Sequence, residues 1–135
     1  MATKMKYADV IRDIEEQFAN ENWSILSKVK AYPSNYQGPN NENEFVKIEF
    51  VPAQPVNNYG QFGVAGQVII QIYTKAGIGL TRTSDVAHDL DVLIENKRFS
   101  RGTITGTSSL SFLGIDNDDN SLFRADYSIG FRNYQ

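Results

Sequence analysis

The sequence predicts an α+β fold: a mixed, largely antiparallel sheet with two helices packed on it, in one domain spanning residues 1–135. Three observations lead there. Two segments carry apolar residues at helical spacing, several others alternate apolar and polar residues, and the order of elements is helix, strands, helix, hairpin. Without regular βαβ alternation, a parallel doubly wound sheet is excluded. A chain of 135 residues is long enough to bury roughly two thirds of its unfolded surface in a core without staples. It is 41% hydrophobic and 21% charged, a globular rather than a disordered balance. No internal repeat or linker interrupts it.

The first helix is expected from Lys4 to Ala19. Tyr7, Val10, Ile11, Ile14 and Phe18 recur at spacings of three and four, while Arg12, Asp13, Glu15 and Glu16 take the outer face. Thr3 is placed to cap its start and Asn20 to end it. "SKVKAYP" reads as a short strand stopped by Pro33, and "SNYQGPNNEN" as loop. In "EFVKIEFVP", Val46, Ile48 and Phe50 alternate with Lys47 and Glu49, which marks a half-buried strand. "AQPVNNYGQFG" reads as a second loop. Val68 to Tyr73 is the most apolar strand and is expected at the centre of the sheet. The second helix is expected from Asp85 to Glu95, with Ser84 as N-cap, Asp85 in the first turn and Val86, Leu90, Leu93 and Ile94 facing inward. Two strands, "GTITGTSSLSFLGI" and "SLFRADYSIGF", flank the turn "DNDDN" and close the chain as a hairpin.

Composition removes several chemistries. There is no cysteine, so disulfides, thiolate metal sites and cysteine nucleophiles are absent, which suits a reducing compartment. A net charge of -3 and a pI near 5.1 give no general attraction to nucleic acid or anionic lipid. No apolar run approaches a membrane span, and "MATKMKYADV" lacks the apolar stretch of a signal peptide. Strand, Ala-Gly-Ile-Gly, then helix is the order of a phosphate-binding loop. Yet the third glycine of a dinucleotide fingerprint falls on Arg82 and no P-loop occurs. The glycines are read as turn residues with positive φ.

His88, the only histidine, stands three residues from both Asp85 and Asp91, but no second motif supports a metal there. Asp116, Asp118 and Asn120 fit the odd positions of a calcium loop, while Ser121 and Tyr127 stand where Gly and Glu are needed. Lys97, Arg98 and Arg101 around Phe99 read as a solvated basic helix end rather than a nucleic-acid stripe. No hydrolase motif is present. No catalytic residue, cofactor or metal is assigned, and the chain reads as a structural or interaction protein rather than an enzyme.

With that order of elements, the sequence resembles the tail terminator proteins of long-tailed bacteriophages. An amphipathic helix is followed by "KAYPSNYQGPNNENEFVKIEFVPA", similar to the family's Tyr-Pro-Asn-like stretch, polar loop and strand ending near a proline. "GQVIIQIYTKAGIGLTRTSDVAHDLDVLIE" resembles its Gly-led strand, Gly-containing loop and helix rich in Ala, Asp and Leu, and "FRADYSIGF" its closing hairpin. The long Asn-rich loops depart from the family pattern. The resemblance implies a hexameric ring at the head-proximal end of a virion tail, assembled in the host cytoplasm. Such a ring sits on the last ring of the tail tube protein, stops polymerisation and offers a surface to the head–tail connector protein. DNA passes its channel without specific binding, and no membrane is involved. The alternatives are another head–tail junction protein, either head-completion or connector, and, from other classes, a small ligand-binding domain or a small acid-based enzyme.

Three expectations complete the picture. Tyr7, Val10, Ile11, Ile14 and Phe18 pack with Val46, Ile48, Phe50, Val86, Leu90 and Leu93 in one core. Subunit contacts use loops and strand edges, with Tyr59 and Phe62 as anchors, since aromatics are enriched at interfaces. The acidic tip, with Asp116, Asp118 and Asp119, faces the ring's channel or its axial partner.

Overall fold

The computed structural model describes residues 2–19, 23, 29–32, 44–52, 56–58, 61–77, 80–116 and 122–133. In chain order the elements are α1 (Ala2–Ala19), β1 (Lys30–Tyr32), β2 (Phe45–Pro52), β3 (Val56–Asn58), β4 (Gln61–Lys75), α2 (Thr81–Ile94), β5 (Ile104–Ile115) and β6 (Leu122–Asn133). The sheet runs β1-β2-β4-β6-β5, and β3 also pairs with β4. β1 lies parallel to β2 and every other pair is antiparallel. This is the α+β, mostly antiparallel architecture that the sequence predicts, with β4 at the centre.

Alternation decides which face is covered. Val64, Val68, Ile70 and Ile72 of β4 are buried. Their cross-strand neighbours include Val46, Ile48 and Phe50 on β2 and Ala125, Tyr127 and Ile129 on β6, while Phe131 pairs with Gly66 on the same face. Both helices pack on this face through Val10 and Ile14 of α1 and Val86, Leu90, Leu93 and Ile94 of α2. Tyr7, Phe18 and Phe50 are half-buried against the same cluster, and Ile11 is half-buried. The side of the sheet away from α1 and α2 carries the other half of each alternation. There Phe45 stacks on Tyr73 with ring centroids 4.5 Å apart.

Several boundaries differ from the sequence reading. α1 begins at Ala2, so Thr3 lies inside it; Asn20 falls outside the described residues. Asp13, assigned to the outer face, is 1% exposed. α2 begins at Thr81, because the Ser84 N–H donates to Leu80 O at 3.0 Å. Ser84 is therefore a helical residue rather than the cap, and Asp85 sits beyond the first turn. Thr83 in that turn is buried, its hydroxyl 2.9 Å from that of Thr74. The gap that separated the glycines from the helix is correspondingly shorter. Gly77 has φ +84°, the left-handed conformation expected of a turn glycine.

The segment read as a second loop contains β3 and the start of β4, paired Val56 to Gly63 and Asn58 to Gln61. This register differs by one from that of β2 on β4, so β3 continues the β2–β4 hairpin. Gly66 marks a close approach within that hairpin: a Cβ there would collide with Val51 O and lie 2.9 Å from Phe131 Cζ.

Candidate assembly surfaces and the polar ties beneath them

Two polar clusters fix the helices to the sheet. The first is built around Asp13. It follows Val10 by three residues, so the helical period turns it toward the core. The chain leaving α2 supplies its donors. Asn96 (φ 51°) ends the helix, and a turn closed by Phe99 N–H to Thr103 O (2.8 Å) presents two backbone N–H groups. Asp13 Oδ1 accepts from Arg101 N–H (3.2 Å) and Arg101 Nη1 (3.3 Å), and Oδ2 from Thr103 N–H (3.3 Å). Arg101 Nη2 also donates to Glu16 Oε1 at 2.7 Å. That bond holds the Glu16 carboxyl below its ordinary pKa, and the Arg101 pKa is raised in turn. Asn133 Nδ2 donates to Arg101 O at 3.0 Å, bringing in the end of β6. Lys97 and Arg98 are exposed as expected, but Arg101 is not a solvated helix end. It satisfies a buried carboxylate whose isolation would be costly.

The second cluster joins α2 to the β5–β6 hairpin. Tyr127 Oη donates to Asp91 Oδ1 at 2.7 Å. The Ser108 hydroxyl donates to the same oxygen at 2.6 Å and lies 3.0 Å from Glu95 Oε2, while Ser108 N–H donates to that Glu95 oxygen at 2.9 Å. Burial, and then the bond to Asp91, push the Tyr127 hydroxyl pKa well above its ordinary range. Thr105 Oγ1 closes the end of α2 by donating to Ile94 O.

The described residues bear on part of the sequence's ligand patterns; Asp118, Asn120 and Ser121 lie outside them. His88 and Asp85 are exposed, whereas Asp91 is committed to Tyr127 and Ser108. Tyr127, at the twelfth calcium-loop position, aims its oxygen at α2. Among the described residues no three His, Asp or Glu side chains converge as a metal site would require. No helix there is long and apolar enough to cross a membrane.

The proposed interface residues fall at opposite ends of the sheet. Phe62 is in β4 opposite Asn57. Asp116 follows β5 and is half-buried, its N–H donating to Leu122 O at 2.9 Å. β4, with 15 residues, separates those ends by roughly 45 Å at the usual rise per residue. Tyr59, Asp118 and Asp119 lie outside the described residues.

Sequence reasoning missed the exposed apolar side chains: Val51, Leu80, Val92, Phe112, Leu113 and Ile115. A groove of about 360 Å³ also opens at the start of β5, where Gly106 and Gly130 leave side-chain space. The available signal was charge: no charged residue occurs from Phe50 to Thr74 or from Gly102 to Ile115.

No family model matches the sequence, and no curated protein matches it. Solved structures do share the fold. One protein, known by a sequence label alone, is 18% identical over 95% of both chains, with a TM-score of 0.64. Another chain, from the virion of a native gene transfer agent (GTA) particle, is 16% identical over 92% of this chain and 93% of that one, with a TM-score of 0.63. At these identities the likeness is one of fold.

Proposed function

We propose that this protein is a virion structural protein, residues 1–135 forming one tail-terminator-like domain. Six copies form a ring that caps the tail tube of a phage-like particle. The ring stops polymerisation by occupancy: one face fits the last tube ring and the other refuses a further one. That outer face receives the head–tail connector protein. The work is steric and needs no catalysis, cofactor or metal. DNA traverses the channel without being bound. The single observation that carries this reading is the fold shared, over nearly the whole of both chains, with a chain of a gene transfer agent virion. The sequence resemblance to tail terminators supplies the finer role.

The test is microscopy of particles assembled without the protein. Overlong tails are expected. Normal-length free tails beside filled heads would instead assign a head-completion or connector role.

A further inference from the structure

The charges of this chain are unevenly spread: one uncharged run forms a margin of the sheet, and the other starts at the opposite margin before entering the central strand β4. The run from Gly102 to Ile115 contains β5, the margin beyond β6. Residues 95–98 cover its start through the Arg98–Ile104 bridge and bonds to Thr105, Gly106 and Ser108, and among the described residues its edge is free from Ser109 onward. Free edges ordinarily carry lysine, proline or inward charge, because an unblocked row of N–H and C=O groups recruits other strands. Between Ile104 and Ile115, β5 has none of these. It exposes Phe112 (44%), Leu113 (54%) and Ile115 (53%) at its end. Two bulges interrupt it, at Thr105/Ser108 and Phe112/Gly114, but Ser108 to Phe112 pairs without a break.

The other run, from Phe50 to Thr74, begins at the opposite margin. β1 covers only Phe45 to Lys47 of β2. Among the described strands, the rest of β2 and then β3 form the outer edge there, with Val51 44% exposed.

We propose that the β5 edge docks a second copy of this chain, which contributes its opposite sheet margin around Val51 and β3. Past Ser108, where Glu95 is bound, and past Glu49 on β2, neither margin has a charged residue of its own to oppose dehydration, and both present strand edges and apolar side chains. Lying on opposite sides of one sheet, they cannot meet within a chain, so the contact is head-to-tail, the kind that closes a ring when repeated. Main-chain pairing along Ser109–Phe112, beyond the Ser108 N–H that Glu95 already holds, is joined by apolar contact at Leu113 and Ile115. The inference rests on the ring reading above and names its subunit contact.

Mass in solution tests it. Val51→Asp and the double variant Leu113→Asp/Ile115→Asp change exposed side chains, and circular dichroism checks that each still folds. Wild type is expected to be a multimer of the 15.2 kDa chain, and each variant alone a monomer. Each variant keeps one intact margin, so mixing them should give a two-chain species and nothing larger. A Val51→Asp protein that keeps the wild-type mass would overturn the proposal, since β5 would then pair with itself or another surface. Persistence of the multimer in both variants overturns it while leaving the ring standing, and a monomeric wild type overturns both. The chain has no cysteine, so a second measurement is independent of the aspartates. Val51→Cys mixed with Ser109→Cys, Ser111→Cys or Leu113→Cys should give an oxidised pair in at least one combination. No linked pair in any of the three counts against the contact.

Discussion

Tyr127 is 1% exposed and donates its hydroxyl to Asp91. A hydrogen bond to a charged group contributes about 1.5–3 kcal/mol, so Tyr127→Phe is expected to lose that much in urea unfolding at neutral pH. The sign of the pH effect follows from the raised pKa. The folded state favours the neutral phenol, so this contribution is fully present below the ordinary value of 10.0. It is lost as pH rises above that value. The stability gap between wild type and Tyr127→Phe should hold from pH 7 to 9, then shrink by roughly 1.4 kcal/mol per unit above pH 10. A gap that stays constant to pH 11 would mean that the phenol titrates alike in both states. The inward direction of Tyr127 was legible, because it alternates with Arg124, Asp126 and Ser128. Its partner was not, because Asp91 is 36 residues away on a helix. Asp13 shows the complementary failure. Its spacing from Val10 pointed inward, but its polarity was read as outward, and only donors distant in sequence, two backbone N–H groups and the Arg101 guanidinium, make the buried position tenable.

At the scale of elements, repeated side chains were legible and backbone decisions were not. Val10 and Ile14, Val86 and Leu90, and the alternation of β2 and β6 fix which faces are covered, since burial follows the helical and strand periods. Ile14 is fully buried between α1 and the sheet. Truncation to Ala should cost about 2–5 kcal/mol through lost burial and the cavity left behind. A loss under about 0.5 kcal/mol, the range of surface positions, would place that face outside the core. β3 escaped notice because three residues carry no readable alternation; its place is set by the register of the hairpin it extends. The start of α2 escaped because Thr and Ser suit both caps and first turns. The choice fell to Thr83, whose hydroxyl finds Thr74 only in the folded chain.

For the whole molecule, the fold class and core were legible because they depend on pattern, while the assembly surfaces depend on what a flat sequence separates. If the proposed ring forms with its acidic tips, Asp116, Asp118 and Asp119, toward the channel, they would make a negative collar that keeps DNA phosphates from sticking. Their replacement with Asn should leave the fold and ring mass intact but impair tail completion or DNA delivery. Full complementation at normal titre would leave them as an ordinary polar turn. The Asp13 tie also bears on the order in which the molecule is made. Its carboxylate bonds to Arg101 and Thr103, 88 and 90 residues further along the chain. Ribosomes add about 5–20 residues per second, so the donors are synthesised on the order of ten seconds after Asp13. The bonds that satisfy the Asp13 carboxylate therefore form only after that interval, whereas β4, on which α1 packs, is synthesised earlier.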